Sequence, residues 1–302
     1  MTAGSPAIPL QEPAVVPHPC FHPKAAAKHG RIHLPIAPDC NIQCRYCNRA
    51  YDCANESRPG VTSALLGPLE AADYLDEILT RMPWISVAGI AGPGDAFADP
   101  LRTLASLEYI RRRHPDLHLC LSTNGLALYE HISALAELRV GFVTVTVNAV
   151  DPLIGAKVYS SISWKNKKVA GTDAAALLLD RQLAAIARLK ARQIAVKVNT
   201  VVIPGINIDH IPHIARIMAG LKVDLHNLIA LIPVPKTPLA WLKPPSRELM
   251  ASLRRTAGRY LPQMRHCMRC RADAVGLLSP SPPLPQPARS PCISQQSLSA
   301  GS

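Results

Sequence analysis

Residues 40–53 read CNIQCRYCNRAYDC, which places four of the chain's nine cysteines within fourteen residues. Thiols at this density constrain the fold strongly. In a reducing compartment they are metal ligands or catalytic groups rather than disulfides, and an odd total excludes complete pairing. Cys40, Cys44 and Cys47 form a C-x3-C-x2-C set. Three thiolates on one short loop can hold three corners of a cubane iron–sulfur cluster and leave its fourth iron to a small-molecule chelator. Zinc sites instead favour paired CxxC units that close four ligands.

The compartment is read from composition. The 302 residues are 48% hydrophobic and 18% charged, as in globular enzymes, and only 4% aromatic. The N-terminus MTAGSPAIPLQEP has neither the charged nor the apolar block of a signal peptide. No apolar run reaches the ~18 residues that span a bilayer. The expected location is the cytoplasm, with no membrane partner. The formal net charge of +12 comes from basic residues spread along the chain, the densest patches being RRRH at 111–114 and KNKK at 165–168. No nucleic-acid-binding motif accompanies them. They read first as solvated faces and second as an attraction for an anionic substrate or partner; no nucleic acid is expected.

Residues 1–17 read as a flexible N-terminal arm. Residues 279–302 hold six prolines and seven serines without an acidic residue, and read as a disordered tail. Between them, strand patterns (31–37, 84–90, 117–123, 140–148, 193–203, 227–233) alternate with helical ones (68–82, 100–113, 128–138, 173–192, 208–220, 246–258). Six βα units with no dividing linker predict one parallel barrel, complete or partial, over 18–278, with a doubly wound open sheet as the alternative. Either fold presents its chemistry beyond the C-terminal ends of the strands.

C-x3-C-x2-C with Tyr46 just before the last cysteine resembles the signature of the radical S-adenosylmethionine (SAM) enzymes. The resemblance extends to HPCF (18–21), residues 30–63, GIAGPGDAFADP (89–100), LSTNGL (121–126), TVNAVDP (146–152), KVNTVVIPGIN (197–207) and HCMRCRADAVGLL (266–278). Together these segments are similar to the NifB family of nitrogenase-cofactor maturases. The resemblance implies a partial (β/α)6 TIM-like barrel whose N- and C-terminal extensions carry cluster ligands. It implies a [4Fe–4S] cluster on Cys40, Cys44 and Cys47 with exchangeable SAM, and two further [4Fe–4S] clusters as substrates. The implied reaction inserts a SAM-derived carbide and fuses the two substrate clusters into an 8Fe–9S–C precursor of the iron–molybdenum cofactor. Longer family members add a C-terminal NifX-like domain, so the chain reads as a short form. Implied partners are a NifEN-type scaffold, NifX-like carriers, iron–sulfur donors and an electron donor.

The same resemblance assigns the other cysteines. Cys53 and Cys120 go to one substrate cluster, with His18 as first and His33 as second choice of histidine and Glu56 assisting. Cys20, Cys267 and Cys270 go to the other. Cys292 in the tail has no role. Taken singly, Cys120 is as readily a core residue, the terminal CxxC a zinc or redox pair, and each histidine a surface group. Gly92, Gly94 and Asp95, after the second strand, are expected to contact SAM, as are Ser122, Asn124, Asn148, Asn199 and Ile203 at later strand ends; strand termination and helix capping would account for Ser122, Thr123, Asn124 and Asn148 equally well. Arg58 and Lys197 are expected to balance the anionic clusters. The competing functions are another radical SAM enzyme with an auxiliary cluster (a methylthiotransferase or cyclase), or a non-catalytic iron–sulfur or zinc carrier.

Overall fold

The computed structural model describes residues 18–278; the expected arm, the Pro/Ser tail and Cys292 lie outside the described residues. Strand β1 (Gly30–His33) leads through the cysteine loop and the short β2 (Ile42–Cys44) into α1 (Pro68–Arg81). Next come β3 (Ile85–Ile90), α2 (Pro100–Arg113), β4 (His118–Thr123), α3 (Ile132–Glu137), β5 (Val140–Thr146) and α4 (Pro152–Val158). A hairpin of β6 (Tyr159–Trp164) and β7 (Lys167–Ala170) precedes α5 (Gly171–Ala191). The chain continues with β8 (Ala195–Val202), α6 (Ile211–Gly220), β9 (Leu225–Ala230), α7 (Arg247–Ala257) and β10 (Val275–Gly276).

Local chemistry sets the helix starts. Pro68 and Pro100 occupy first-turn positions where no amide donor is needed. Glu70 accepts from the Gly67 amide at 2.7 Å, Asp99 from Arg102 at 3.1 Å, and Ser246 from Leu249 at 3.1 Å. The RRRH patch closes α2: Arg111 donates to the carbonyls of Pro115, Leu117, Leu138 and Arg139, while Arg113 pairs with Asp73 and Asp76. Arg111 and Arg113 thus fasten the end of α2 to its neighbours rather than merely facing solvent.

Six strands run parallel in the order β1-β3-β4-β5-β8-β9, and β10 pairs antiparallel with β1 at the edge. Each new strand adds to the same edge with no reversal, which makes the sheet a partial (β/α)6 barrel rather than a doubly wound sheet. Its outer face is apolar. Ile32, Ala88, Leu119, Leu121, Val143, Val145, Val196 and Val198 pack under helix residues such as Leu75, Leu107, Ile110, Leu135, Ile186 and Ile214. Each such side chain contributes about 1.5–3 kcal/mol by leaving water.

The inner face is polar. Register aligns His33, Gly89 and Cys120 with Phe142 in one row, Ser122, Thr144 and Lys197 in the next, and Thr146, Asn199 and Asn227 in a third.

A second sheet, β2-β6-β7, was not foreseen from the sequence. Segment 159–170 lacks an apolar run, and its turn puts Lys165 and Asn166 at φ 48° and 61° without a glycine. The expected strand 31–37 ends at His33 because Pro35 interrupts the ladder. Replacing Leu121, which is wholly buried, by Ala should cost about 2–5 kcal/mol in chemical denaturation.

Candidate functional site

The cysteine loop is fastened to the turn after β3 by a close backbone approach. The Gly94 amide donates to Ala37 O at 2.5 Å and the Asp95 amide to Asp39 O at 2.7 Å. A Cβ on Gly94 would lie 1.9 Å from the Asp39 carbonyl oxygen, so only glycine fits. Arg49 adds bonds to Pro38 O (2.7 Å) and Pro93 O (3.1 Å). Gly92, at φ 120°, turns the chain into this contact. The close approach expected of these glycines is thus made to the loop that carries Cys40.

Asp95 is buried and its carboxylate is occupied. It accepts from Phe97 N (2.9 Å), Asn124 N (2.6 Å) and the Thr123 hydroxyl (3.0 and 3.1 Å). Burial raises its pKa against these stabilising bonds. Asp95 therefore ties the β3 turn to the end of β4. Asn124 then presents its amide to Asn41 Oδ1 at 2.7 Å and to Cys40 Sγ at 3.9 Å.

Cys44 and Cys47 are buried with Tyr46, Ile203 and Leu239 in a small core that Cys40 borders. Burial pushes the Cys40 thiol up to about 12, and it pushes Cys44 higher still, aided by Cys47 and Cys40 beside it. Three thiols that disfavour ionisation when empty are matched to a cationic metal centre, which supplies the missing charge. Among the described residues no three His, Cys, Asp or Glu side chains converge on a point that suits a single ion. A cubane binds each thiolate through a different iron, so its ligands are spread apart. The donor set fits a cluster of that kind.

A polar chain runs from this loop into the barrel. Asn55 reaches Cys44 Sγ at 3.7 Å and accepts from Tyr46 Oη, which in turn accepts from Asn148 at 2.8 Å. Asn199 donates to Asn55 O and Glu56 Oε2, both at 3.2 Å, and accepts from Asn227 at 3.1 Å. Asn227 also contacts Cys267 Sγ at 3.5 Å. Asn148 and Asn199 were expected to touch SAM; the structure places Asn148 against Tyr46, and Asn199 with Ser122 in the barrel interior.

That interior is a cavity of about 680 Å³, counting the part open to solvent. His18, Cys20, His33, Glu56, Cys120, Cys267 and Cys270 line it together, from segments up to the full described length apart. Cys20 lies near Cys267 and Cys270, whose charges raise its pKa after burial does. Burial likewise pushes Cys120 up to about 12. Cys53 is buried outside the cavity lining, with Cys47 and Glu56 among its neighbours. Thr146 and Ser122 donate to Glu56, whose carboxyl burial raises to about 7.

The two histidines differ in their free nitrogen. His33 Nδ1 faces the Arg271 carbonyl at 3.0 Å and must donate to it, which leaves the lone pair on Nε2. His18 Nδ1 accepts from Cys20 N at 3.1 Å, which puts its hydrogen on Nε2. A ligating histidine carries its proton on the other nitrogen, held by an acceptor, as His33 does.

Three cations share the cavity with a single carboxylate, Glu56. Arg31 donates to Cys270 Sγ at 2.8 Å and Leu277 O at 2.9 Å. Arg269 donates to Ala54 O at 2.8 Å and Ala230 O, and burial lowers it to about 10. Burial would lower Lys197, but Cys20, Cys267, Cys120 and Glu56 around it outweigh that and hold it above its ordinary value. Arg58, expected here, has an exposed side chain and contributes only its amide, to Cys270 O at 2.9 Å. Arg31, Arg269 and Asn55 were missed, although Arg31 and His33 alternate with Ile32 and Leu34 at strand period.

The sequence profile of the radical SAM superfamily matches residues 34–218, and the chain belongs to that superfamily. In fold it is similar to Streptococcus suis SuiB, with a TM-score of 0.55 at 12% identity over 77% of this chain and 49% of that one. The SAM-bound form of SuiB gives 0.52 at 14% identity, over 77% and 50%. Within the superfamily the sequence kinship is with NifB. The FeMo cofactor biosynthesis protein NifB of Chlorobaculum tepidum is 46% identical over 86% of this chain and 62% of its own length. NifB of Frankia alni is 42% identical over 92% and 57%, and that of Klebsiella pneumoniae 42% over 89% and 58%. The chain thus spans about three fifths of the length of these curated relatives. Among the described residues no helix is long and apolar enough to cross a membrane.

Gly94→Ala should force the Asp39 carbonyl and the cysteine loop apart. Anaerobically reconstituted G94A should lose the electron paramagnetic resonance signal of the reduced radical cluster while its far-ultraviolet circular dichroism stays that of the parent.

Proposed function

We propose that this chain is a radical SAM enzyme of nitrogenase cofactor assembly, which inserts a SAM-derived carbide while fusing two [4Fe–4S] substrate clusters into an 8Fe–9S–C product. The observation that carries this reading is the cavity, where ligand-type side chains converge around three cations and one carboxylate. Buried cations without anionic partners are costly, and anionic clusters would relieve that cost. A cyclase or methylthiotransferase with one auxiliary cluster would leave several of these cysteines without a purpose.

In this reading Cys40, Cys44 and Cys47 hold the catalytic cluster. Bound there, the cluster and SAM supply a 5′-deoxyadenosyl radical. Gly92, Gly94 and Asp95 fix the cysteine loop, and Asn124 and Asn148 hold polar groups beside it. Ile203 gives the site an apolar wall. Cys53, Cys120, His33 and Glu56 take one substrate cluster, and Cys20, Cys267 and Cys270 take the other, which is the one methylated. Incomplete cysteine ligation suits clusters that must be remodelled and released. Ser122 and Asn199 orient Glu56, and Lys197, Arg31 and Arg269 balance the cargo's charge. The product passes to a NifEN-type scaffold or NifX-like carrier, with iron–sulfur and electron donors upstream.

Anaerobic reconstitution should give about twelve irons per chain. With dithionite and SAM the chain should release 5′-deoxyadenosine and S-adenosylhomocysteine; release of neither overturns the reading. Cys44→Ala should abolish 5′-deoxyadenosine formation. Cys267→Ala should lose about four irons and the S-adenosylhomocysteine while retaining radical cleavage. Chelation of the iron should lower Tm, because cargo bound only by the folded state stabilises it.

A further inference from the structure

Two four-iron clusters bring eight sulfides, and the proposed product has nine, so one sulfur must enter from solution. We propose that the His18 Nε2–H group and the Lys197 ammonium form the seat of a hydrosulfide ion between the two substrate-cluster sites; this rests on the function proposed above. His18 is almost completely buried and lines the cavity, and its Nε2 has no hydrogen-bond partner among the described residues. Because Nδ1 accepts the Cys20 amide, that orphaned nitrogen is a donor. A buried donor with no acceptor is costly, and in a cavity lined by cysteines the group that would relieve it is an incoming acceptor.

Lys197 supplies the charge. It is buried, it lines the same cavity, and among the described residues it makes no ion pair within salt-bridge distance with Glu56 or any other carboxylate. The two donors share a neighbour. The Phe21 ring centroid is 4.8 Å from that of His18 and 5.7 Å from Lys197 Nζ. Lys197 lines the cavity together with His18. Its thiol neighbours divide between the sets, with Cys20 and Cys267 in one and Cys120 in the other. An anion held there lies where the two clusters must join.

The aromatic floor fixes the position. The His18 ring stands 4.3 Å from that of Phe142, the register neighbour of Cys120. The His18, Phe21 and Phe142 rings pack against one another with centroids 4.3–4.9 Å apart, which restricts rotation of the imidazole. Hydrosulfide suits the site by size and charge, and its use is redox-neutral. Its proton passes to water, and the sulfide's electron pairs form new bonds to iron with no change of oxidation state.

The test is calorimetric titration of the anaerobically reconstituted full chain with sodium hydrosulfide at pH 8, with iron counted on the same samples. Wild type should show one saturable site. Lys197→Met and His18→Phe should each weaken it about tenfold or more, since each removes a buried donor to an anion, whereas Lys197→Arg should retain it. His18→Phe should also keep the wild-type iron count. Absence of a saturable site, or wild-type affinity in both variants, overturns the proposal. So does loss of about four irons in His18→Phe, which would make His18 a cluster ligand. Failure of the parent reading would show differently, as wild type that holds no substrate clusters and releases no 5′-deoxyadenosine.

Discussion

Arg31, Lys197 and Arg269 point positive charge into a barrel whose lining offers one carboxylate in return. A folded chain ordinarily avoids such an arrangement, because each buried cation loses several kcal/mol of hydration. The barrel tolerates it by distributing the cost. Arg31 and Arg269 spend their donors on main-chain carbonyls, and Lys197 is surrounded by polarisable thiols. The apolar outer face provides the stability that lets the inner face remain polar. A surplus of buried positive charge of this kind favours an anionic occupant.

The radical loop and the cavity are separate places held in fixed relation. Gly94 clamps the cysteine loop onto the β3 turn, and Asp95 fastens that turn to β4. Asn55, Tyr46, Asn148, Asn199 and Asn227 then connect Cys44 to Cys267 through hydrogen bonds. Cys53 has both Cys47 of the loop and Glu56 of the cavity among its neighbours.

The fold was legible where one physical signal dominated. The six parallel strands are largely apolar on their outer side, and Pro68, Pro100 and Asp99 mark helix starts that the structure keeps. The β2-β6-β7 sheet was not legible, since YSSISW alternates weakly and the turn uses lysine and asparagine where glycine is usual. The cysteines stood out in the sequence, but which of them share the cavity needed the tertiary fold. The difference between His18 and His33 lies in which nitrogen meets Cys20 N or Arg271 O, a contact between residues far apart for His33. Lys197 was expected beside anionic cargo, and its strand register sets it in the cavity lining, whereas Arg58, expected with it, is exposed.

The central claim is that the cavity binds cluster cargo independently of the radical site. It is tested most directly by counting iron and sulfide on an anaerobically reconstituted variant with Cys40, Cys44 and Cys47 all changed to Ala. Two substrate cubanes predict about eight irons per chain, with the spectroscopic signature of [4Fe–4S] clusters retained. A variant that binds no iron, or binds zinc in its place, would contradict the account.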